Sequence, residues 1–246
     1  MTLKVLGSGS RGNCYILSND SEALILEAGV RPQQVTHALG YDVAKVCGCL
    51  ITHEHGDHAA YVNDILDMAI PVYASEGTIG AMRFRTARRP VSVKAGSMFK
   101  VGGFDVIAFD VRHDSAQPFG YYIRHKEMGN LLFATDTYYL PCAFAGLNNI
   151  MLECNYDREL LDESIREGRV SPVVRNRTIQ SHMSYGHCID TLLANDLKRV
   201  NNIVLIHLSA NNADPEAFRR GVKAATGKTV HVAQAGLEIN FDKTPF

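Results

Sequence analysis

The chain of 246 residues is 46% hydrophobic and carries a formal net charge of −1. Its length and apolar content are enough for a sizeable core, so we expect one globular domain that spans residues 1–246. The balanced charge excludes an overall electrostatic attraction to nucleic acid or to anionic membranes, and no apolar run approaches the roughly 18 residues of a membrane span.

The first third of the chain alternates short apolar strands with glycine-rich or polar turns and short helices. Pro32 suits the first turn of a helix that ends before Gly40, where glycine suits the cap. The predicted elements after it are a buried strand at 46–52, a helix at 57–68, a strand at 71–74 and a helix at 75–84. Before the helix that starts at Pro32, strands are predicted at 3–6, 14–17 and 23–27.

The rest of the chain begins with antiparallel strands and then returns to alternating strands and helices. Strands are predicted at 97–101, 104–111, 119–124, 131–135, 150–154, 203–206, 229–232 and 237–240, and helices at 157–167, 187–197 and 215–225, with an irregular basic loop before residue 187. Two strand-rich halves with interspersed helices predict an α/β fold, namely a four-layer αββα sandwich of two mixed β-sheets packed face to face.

The six cysteines lie mostly in apolar runs and form no CxxC pair, which is typical of buried thiols in a reducing compartment. The opening MTLKVLGSGSRGN breaks at Gly7 and lacks the charged-then-apolar pattern of a signal peptide. We therefore expect a cytoplasmic protein with no membrane association.

The segment CLITHEHGDHAAY places three histidines and an aspartate directly after a buried strand. Alternate side chains of an extended segment share a face, so His53 and His55 point the same way, and Gly56 permits a sharp turn. Asp57 and His58 then begin the next helix, where the positive end of the dipole favours a carboxylate. Without a cation this cluster would leave buried polar groups unsatisfied, so we predict a site for zinc, manganese or iron.

These ligands are too close together to surround one ion, which favours two ions that share the cluster. Each ion then needs ligands from distant segments that end at the same edge of the fold. His113, Asp136 and His207 are the candidates, because each follows a buried strand just as the first cluster does.

The motif THEHGDH resembles the signature of the metallo-β-lactamase superfamily, and the resemblance extends over essentially the whole chain. GSGSRGNCYIL at 7–17, RHD at 112–114 and SHMS at 181–184 resemble more specifically the WalJ/YycJ-type subgroup, whose members are regarded as phosphodiesterases, including 5′-to-3′ exonucleases acting on DNA. The resemblance implies two divalent ions, zinc or manganese with iron as a further option. It assigns His53, His55 and His113 to one ion, Asp57, His58 and His207 to the other, and Asp136 to both.

The sequence departs from the family pattern at three places. Glu27 stands where the family usually has an aspartate that orients a metal-binding histidine, and its extra methylene predicts a rearranged support. Tyr138 and Tyr139 replace the glycine that commonly follows the bridging aspartate, and Tyr185 replaces an asparagine. These changes leave the metal chemistry intact and leave the substrate open.

The implied reaction is hydrolysis by a metal-bound hydroxide, which Asp57 would orient while it also binds a metal. His182 is the candidate general acid for the leaving alkoxide, or a contact to a phosphate oxygen. Substrate contacts are predicted in two arginine-rich segments, in the glycine-rich first turn and in the SHMS motif. The named residues are Arg85, Arg88, Arg175, Ser8, Ser10, Asn13 and Ser184.

The leading hypothesis is therefore a dinuclear phosphodiesterase or nuclease whose substrate is DNA or RNA. One alternative is a hydrolase of a small ester, lactone, thioester or cyclic phosphodiester, against which the arginine segments argue. A di-iron oxidoreductase would favour a carboxylate where His55 stands, and a non-catalytic binding module would tolerate a broken ligand set. The oligomeric state is left open.

Overall fold

Two seven-stranded sheets form the centre of the computed structural model, which describes residues 1–244. In chain order the strands are β1 (Thr2–Gly7), β2 (Cys14–Ser18), β3 (Ala23–Leu26), β4 (Val46–Leu50), β5 (Val72–Ala74), β6 (Val91–Ser92), β7 (Met98–Val101), β8 (Phe104–Asp110), β9 (Phe119–His125), β10 (Gly129–Ala134), β11 (Asn149–Glu153), β12 (Asn202–Ile206), β13 (Thr229–Val232) and β14 (Glu238–Asn240). The first sheet has the order β14-β1-β2-β3-β4-β5-β6 and the second β13-β12-β11-β10-β9-β8-β7. Both contain parallel and antiparallel pairs, so both are mixed, as predicted.

Eight α-helices are present within residues 1–244, and none of them is long and apolar enough to cross a membrane. They are α1 (Pro32–Ala38), α2 (Gly56–Ala59), α3 (Val62–Asp67), α4 (Glu76–Ala81), α5 (Arg158–Arg166), α6 (Pro172–Ser181), α7 (Tyr185–Leu193) and α8 (Pro215–Thr226). Serine or aspartate side chains accept a backbone N–H at the start of α4 to α8, which explains where these helices begin.

Strand alternation builds three apolar layers around the sheets. In β3, Leu24 and Leu26 belong to the core between the two sheets, whereas Ala23 and Ile25 belong to the core beneath α1 and α3. Strands β10 to β12 alternate in the same way, with their outward side chains in a third core beneath α7 and α8. The four-layer αββα sandwich is thereby confirmed.

The helix predicted at 57–68 is wrong as one element, because it breaks between α2 and α3. A continuous helix needs the N–H of Tyr61 to bond the carbonyl of Asp57. That carbonyl instead accepts the N–H of Asn13 at 2.7 Å, and Tyr61 donates to the carbonyl of Ala28 at 2.9 Å. The first turn of the chain therefore competes with the helix for its hydrogen bonds.

The basic segment predicted as an irregular loop is also corrected, since most of it forms α6. Ser171 caps this helix by accepting the N–H of Val174, and Pro172 occupies its first turn. The next helix begins at Tyr185 rather than at residue 187, because the side chain of Ser184 accepts the N–H of His187. Helix α6 brings Arg177 close to the site.

Candidate metal centre

The predicted ligands meet just beyond the carboxyl ends of strands from both sheets. They follow β4, β8, β10 and β12. Because β10 and β12 both pair in parallel with β11, they end at the same edge of their sheet, where open α/β sheets bind ligands. The structure brings all seven together in overlapping groups whose donor atoms lie within 4.8 Å of one another. The groups are His53, His55 and His113; Asp57, His58 and His207; and His53, His58 and Asp136.

The first group consists of three imidazoles. The ring nitrogens that face one another make few other hydrogen bonds. Nε2 of His113 lies 3.2 Å from Nδ1 of His55, and Nδ1 of His113 is held by the carbonyl of Ser181 at 2.8 Å. Nδ1 of His53 bonds the hydroxyl of Thr52 at 2.9 Å, whereas its buried Nε2 has no hydrogen-bond partner among the described residues. A ring fixed through one nitrogen and unpartnered at the other fits a divalent cation.

The second group joins a carboxylate to two histidines. Oδ2 of Asp57 lies 3.2 Å from Nε2 of His207 and 3.4 Å from Nε2 of His58. The side-chain amide of Asn13 approaches both Asp57 Oδ2, at 3.4 Å, and His58 Nε2, at 3.1 Å. Asn13 is fully buried, so it supports the ligands from beneath instead of contacting substrate as the sequence analysis expected.

Asp136 lies between the two groups and presents one oxygen to each. Its Oδ1 is 3.3 Å from His58 Nε2, and its Oδ2 is 3.5 Å from His113 Nε2 and 3.9 Å from His53 Nε2. A carboxylate in this position can bind two cations at once. The donor set of both groups, imidazole and carboxylate, suits divalent metal ions.

Glu27 reaches the far side of His58 despite its additional methylene. Its Oε1 lies 3.6 Å from His58 Nδ1, and both atoms are buried without a hydrogen-bond partner among residues 1–244. Its Oε2 accepts the N–H of Thr52 at 3.4 Å. Glu27 therefore lies behind His58, where a carboxylate can orient the imidazole.

We expect the substitution Glu27→Gln to weaken the affinity for zinc about tenfold, because the negative charge behind His58 is lost. Competition against a chromophoric chelator measures this affinity. Glu22→Gln is the matched control, since Glu22 bonds Gly103 and His125 and contacts no ligand of the site. Equal zinc affinity in Glu27→Gln and the unaltered protein would contradict the role of Glu27.

Three residues of the site have left-handed backbone conformations. Glu27 has φ 68°, Asp136 has φ 44° and His207 has φ 55°, and each follows the end of a strand. Such conformations cost a non-glycine residue about 1–3 kcal/mol and persist where the surrounding structure imposes them. They turn each side chain out of its strand toward the centre.

Electrostatics favour the ionised forms of Asp57 and Asp136, because neighbouring histidines lower the pKa of each carboxyl. Burial opposes ionisation of Asp57, but its hydrogen bonds with His207 and His58 hold its pKa below the usual value. Burial also disfavours charged imidazoles, yet the carboxylate of Asp136 raises the pKa of His58 well above its usual value and helps to raise that of His207 to about 10. These ionised carboxylates lie beside imidazoles that can release a proton when a cation binds. Together they offer donor atoms for divalent metal ions.

Glu153 is a buried member of the site that the sequence analysis did not select. Its Oε1 is hydrogen-bonded to Nδ1 of His182 at 2.7 Å and lies 3.4 Å from Nδ1 of His207. Its Oε2 accepts the N–H groups of Thr137 and Met183 at 2.8 and 3.1 Å. Glu153 ends the apolar strand NIMLE, so the signal that identified the other strand-end ligands could have found it.

The three residues predicted in the glycine-rich turn have different positions. Ser10 lines a cavity of about 280 Å³ above the ligands, together with Asp57, Arg177 and His182. Ser8 is engaged elsewhere, because its Oγ accepts the N–H of His207 at 2.9 Å and pairs with a tyrosine hydroxyl. Among these residues, Ser10 alone keeps its place as a predicted substrate contact.

The predicted arginine contacts lie away from this cavity. Arg85 bonds Asp64 at 3.2 Å, Arg175 bonds Asp162 at 2.8 Å, and Arg88 belongs to an exposed loop. Ser184 caps α7, so its side chain is likewise engaged in a hydrogen bond within the fold. Arg177, at the opposite face of α6 from the predicted Arg175, is the arginine that lines the cavity.

The fold and the site together define a metal-dependent hydrolase. Residues 24–208 match the family model described as a beta-lactamase superfamily domain. The chain therefore belongs to the metallo-β-lactamase superfamily.

Relatives and solved structures agree with this membership over most of the chain. The chain is 31% identical to the exodeoxyribonuclease YycJ of Bacillus anthracis, across 89% of this chain and 86% of that protein. It is 28% identical to the exodeoxyribonuclease WalJ of Streptococcus pneumoniae, across 97% and 90% of the two chains. The crystal structure of the metallo-beta-lactamase fold protein YhfI from Bacillus subtilis covers 97% of this chain and 99% of its own, with a TM-score of 0.72 at 14% identity.

Proposed function

We propose that this chain is a dinuclear metal-dependent phosphodiesterase that degrades DNA from the 5′ end. The observation that carries the proposal is Asp136, which presents one oxygen to each of two ligand groups in a chain with full-length relatives named exodeoxyribonucleases. His53, His55 and His113 would hold one ion, Asp57, His58 and His207 the other, and Asp136 both. Zinc and manganese suit these ligands, and iron is also compatible.

Divalent ions held by these residues would lower the pKa of a water molecule and stabilise negative charge on phosphate oxygens. The residues of the chain orient the reactants around that chemistry. Asp57 borders the cavity and, with its carboxylate ionised, can accept a hydrogen bond from the attacking water. Arg177 and Ser10 line the same cavity and can donate to phosphate oxygens.

His182 has the position of a general acid for the leaving group. Its Nδ1 bonds the buried carboxylate of Glu153, and its side chain lines the cavity. Burial disfavours the imidazolium, but the charge of Glu153 raises the pKa of His182 above its usual value, which favours the protonated ring that a general acid needs. Nε2 is then the nitrogen that can donate to a leaving alkoxide.

We expect His182→Gln to lower kcat about 100-fold for DNA, because an alkoxide leaving group needs a proton. The loss should be much smaller for bis(p-nitrophenyl) phosphate, since p-nitrophenolate leaves without protonation. Comparison of kcat for the two substrates tests this. The control is His37→Gln, because His37 is exposed on α1 and does not line the cavity. An equal loss on both substrates would exclude His182 as the acid.

The proposed function is tested with an end-labelled, 5′-phosphorylated DNA duplex and manganese-loaded protein. Stepwise loss of nucleotides from the 5′ end supports the proposal. If protein shown to hold two metal ions leaves DNA intact, the nuclease proposal fails. Hydrolysis of small phosphodiesters and esters by the same preparation would then support the alternative hydrolase.

We also place the protein in the cytoplasm. All six cysteines are unpaired, and Cys14, Cys49, Cys154 and Cys188 are buried. Burial raises the pKa of each of the first three thiols above its usual value, so these cysteines behave as small apolar side chains. That usage suits a reducing compartment, where a DNA substrate is also present.

A further inference from the structure

A second cavity, of about 820 Å³, adjoins the metal centre and has no role in the chemistry described above. His113 and Arg177 line both cavities, so the two spaces are neighbours across these side chains. A group bound in the second cavity would therefore lie next to a phosphate at the metals. Its volume is within the range of small-molecule sites in proteins.

Helix α6 forms one wall of this cavity. Val173, Asn176, Arg177 and Gln180 line it, with the spacing i, i+3, i+4 and i+7 that places side chains on one face of a helix. Val173 is 79% exposed and thus contributes an apolar surface that packs into no core. The amides of the same face offer hydrogen-bond donors and acceptors.

Tyr138 is the aromatic residue that lines this cavity. The residue is 38% exposed, although both of its backbone polar groups are bonded. Its N–H donates to the carbonyl of Arg112 at 3.3 Å, and its carbonyl accepts Nδ1 of His187 at 3.2 Å. The backbone is therefore fixed while the ring is available to a ligand.

Two arginines and one carboxylate, Asp114, line the cavity, so positive charge is in excess. Arg112 is exposed and lines it, and no carboxylate among residues 1–244 forms a salt bridge with its guanidinium. Arg177 differs, because its Nε bonds Asp114 at 2.6 Å. An aromatic ring, an apolar side chain, amides and an uncompensated arginine are the groups that bind a nucleoside with its phosphate.

We propose that this cavity binds the nucleoside next to the scissile phosphate, with the base stacked on Tyr138. This proposal rests on the proposed nuclease function and specifies its substrate contacts. Val173 covers part of the same space, Asn176 and Gln180 contact the edge of the base, and Arg112 binds the neighbouring phosphate. Stacking accepts every base, so this subsite supports cleavage that is independent of sequence.

The test measures stacking directly with single-stranded oligodeoxynucleotides that carry 2-aminopurine at successive positions from the 5′ end. The chain has no tryptophan, so the probe fluorescence is observed without interference. Binding is measured with manganese-loaded Asp57→Asn, which retains the whole cavity and slows cleavage. We expect quenching at one position of the probe.

Combining Tyr138→Leu with Asp57→Asn should abolish this quenching and raise the Kd for the oligonucleotide about tenfold. Combining Tyr138→Phe with Asp57→Asn should leave the quenching and the Kd unchanged. Tyr139→Leu is the matched control, because Tyr139 is 49% exposed but does not line the cavity. With Asp57 intact, Tyr138→Leu should also raise KM for DNA about tenfold. Metal content and circular dichroism establish that each variant is folded.

Unchanged quenching and Kd in Tyr138→Leu would overturn the nucleoside subsite. If the unaltered protein cleaves DNA but no probe position is quenched, the subsite fails while the nuclease function stands. If the unaltered protein neither cleaves nor binds DNA, both proposals fail together.

Discussion

The substitution Asp57→Asn is expected to lower kcat for DNA at least about 100-fold, because the ionised carboxylate that orients the attacking water is replaced by a neutral amide. In the structure this carboxylate faces His207 and His58 and borders the cavity. Asparagine preserves its size. The measurement is the single-turnover rate of 5′-end cleavage with manganese-loaded protein.

Metal content decides how that result is interpreted. If Asp57→Asn retains its metal ions and loses activity, the carboxylate acts in the reaction itself. Asp64→Asn is the matched control, since Asp64 pairs with Arg85 on the surface and should leave kcat unchanged. Full turnover by a metal-loaded Asp57→Asn protein would show that the proposed role of Asp57 is wrong.

Each metal ion that binds should raise the Tm of the chelated protein by about 5–10 °C. The centre contains buried carboxylates and imidazoles that contact one another. A cation bound between them can replace these contacts with stronger bonds. An ion at 100 times its Kd contributes about 2.7 kcal/mol, and each kcal/mol shifts Tm of a chain of this size by about 2–4 °C. Differential scanning calorimetry of chelated protein, with and without added manganese or zinc, gives the shift.

Asp136→Ala provides the comparison for this prediction. It removes the carboxylate that faces both ligand groups, so the metal-dependent rise in Tm should fall by more than half. Calcium, which prefers oxygen ligands, is a control ion and should stabilise the protein much less. Equal Tm values with and without manganese or zinc would contradict a metal centre in this position.

The fold was predictable where the local pattern and the final packing agree. Leu24 and Leu26 alternate with Ala23 and Ile25 in the sequence, and the structure buries the two sets in separate cores. The break before α3 was not predictable in this way. It depends on Asn13, which lies far away in sequence and takes the carbonyl of Asp57 from the helix.

The candidate site followed from a single regularity, which is that polar residues capable of binding metal come directly after buried strands. The structure gathers the predicted ligands, and the same regularity also applies to Glu153. The substrate contacts were less accessible to sequence analysis, because arginine spacing does not reveal which guanidinium reaches the cavity. Arg175 and Arg177 each pair with a carboxylate, but Arg177 lines the cavity and Arg175 does not.

The positions of the ligands along the chain have a consequence for how the ions are acquired. The donors extend from His53 to His207 and belong to both sheets, so an unfolded chain can offer only the local His53 to His58 cluster. Complete coordination of both ions therefore requires the folded chain. The choice among competing metals is consequently made by the folded site, whose Glu27, Asp136 and His207 have left-handed backbone conformations, and the supply of each metal can override the intrinsic order of metal affinities.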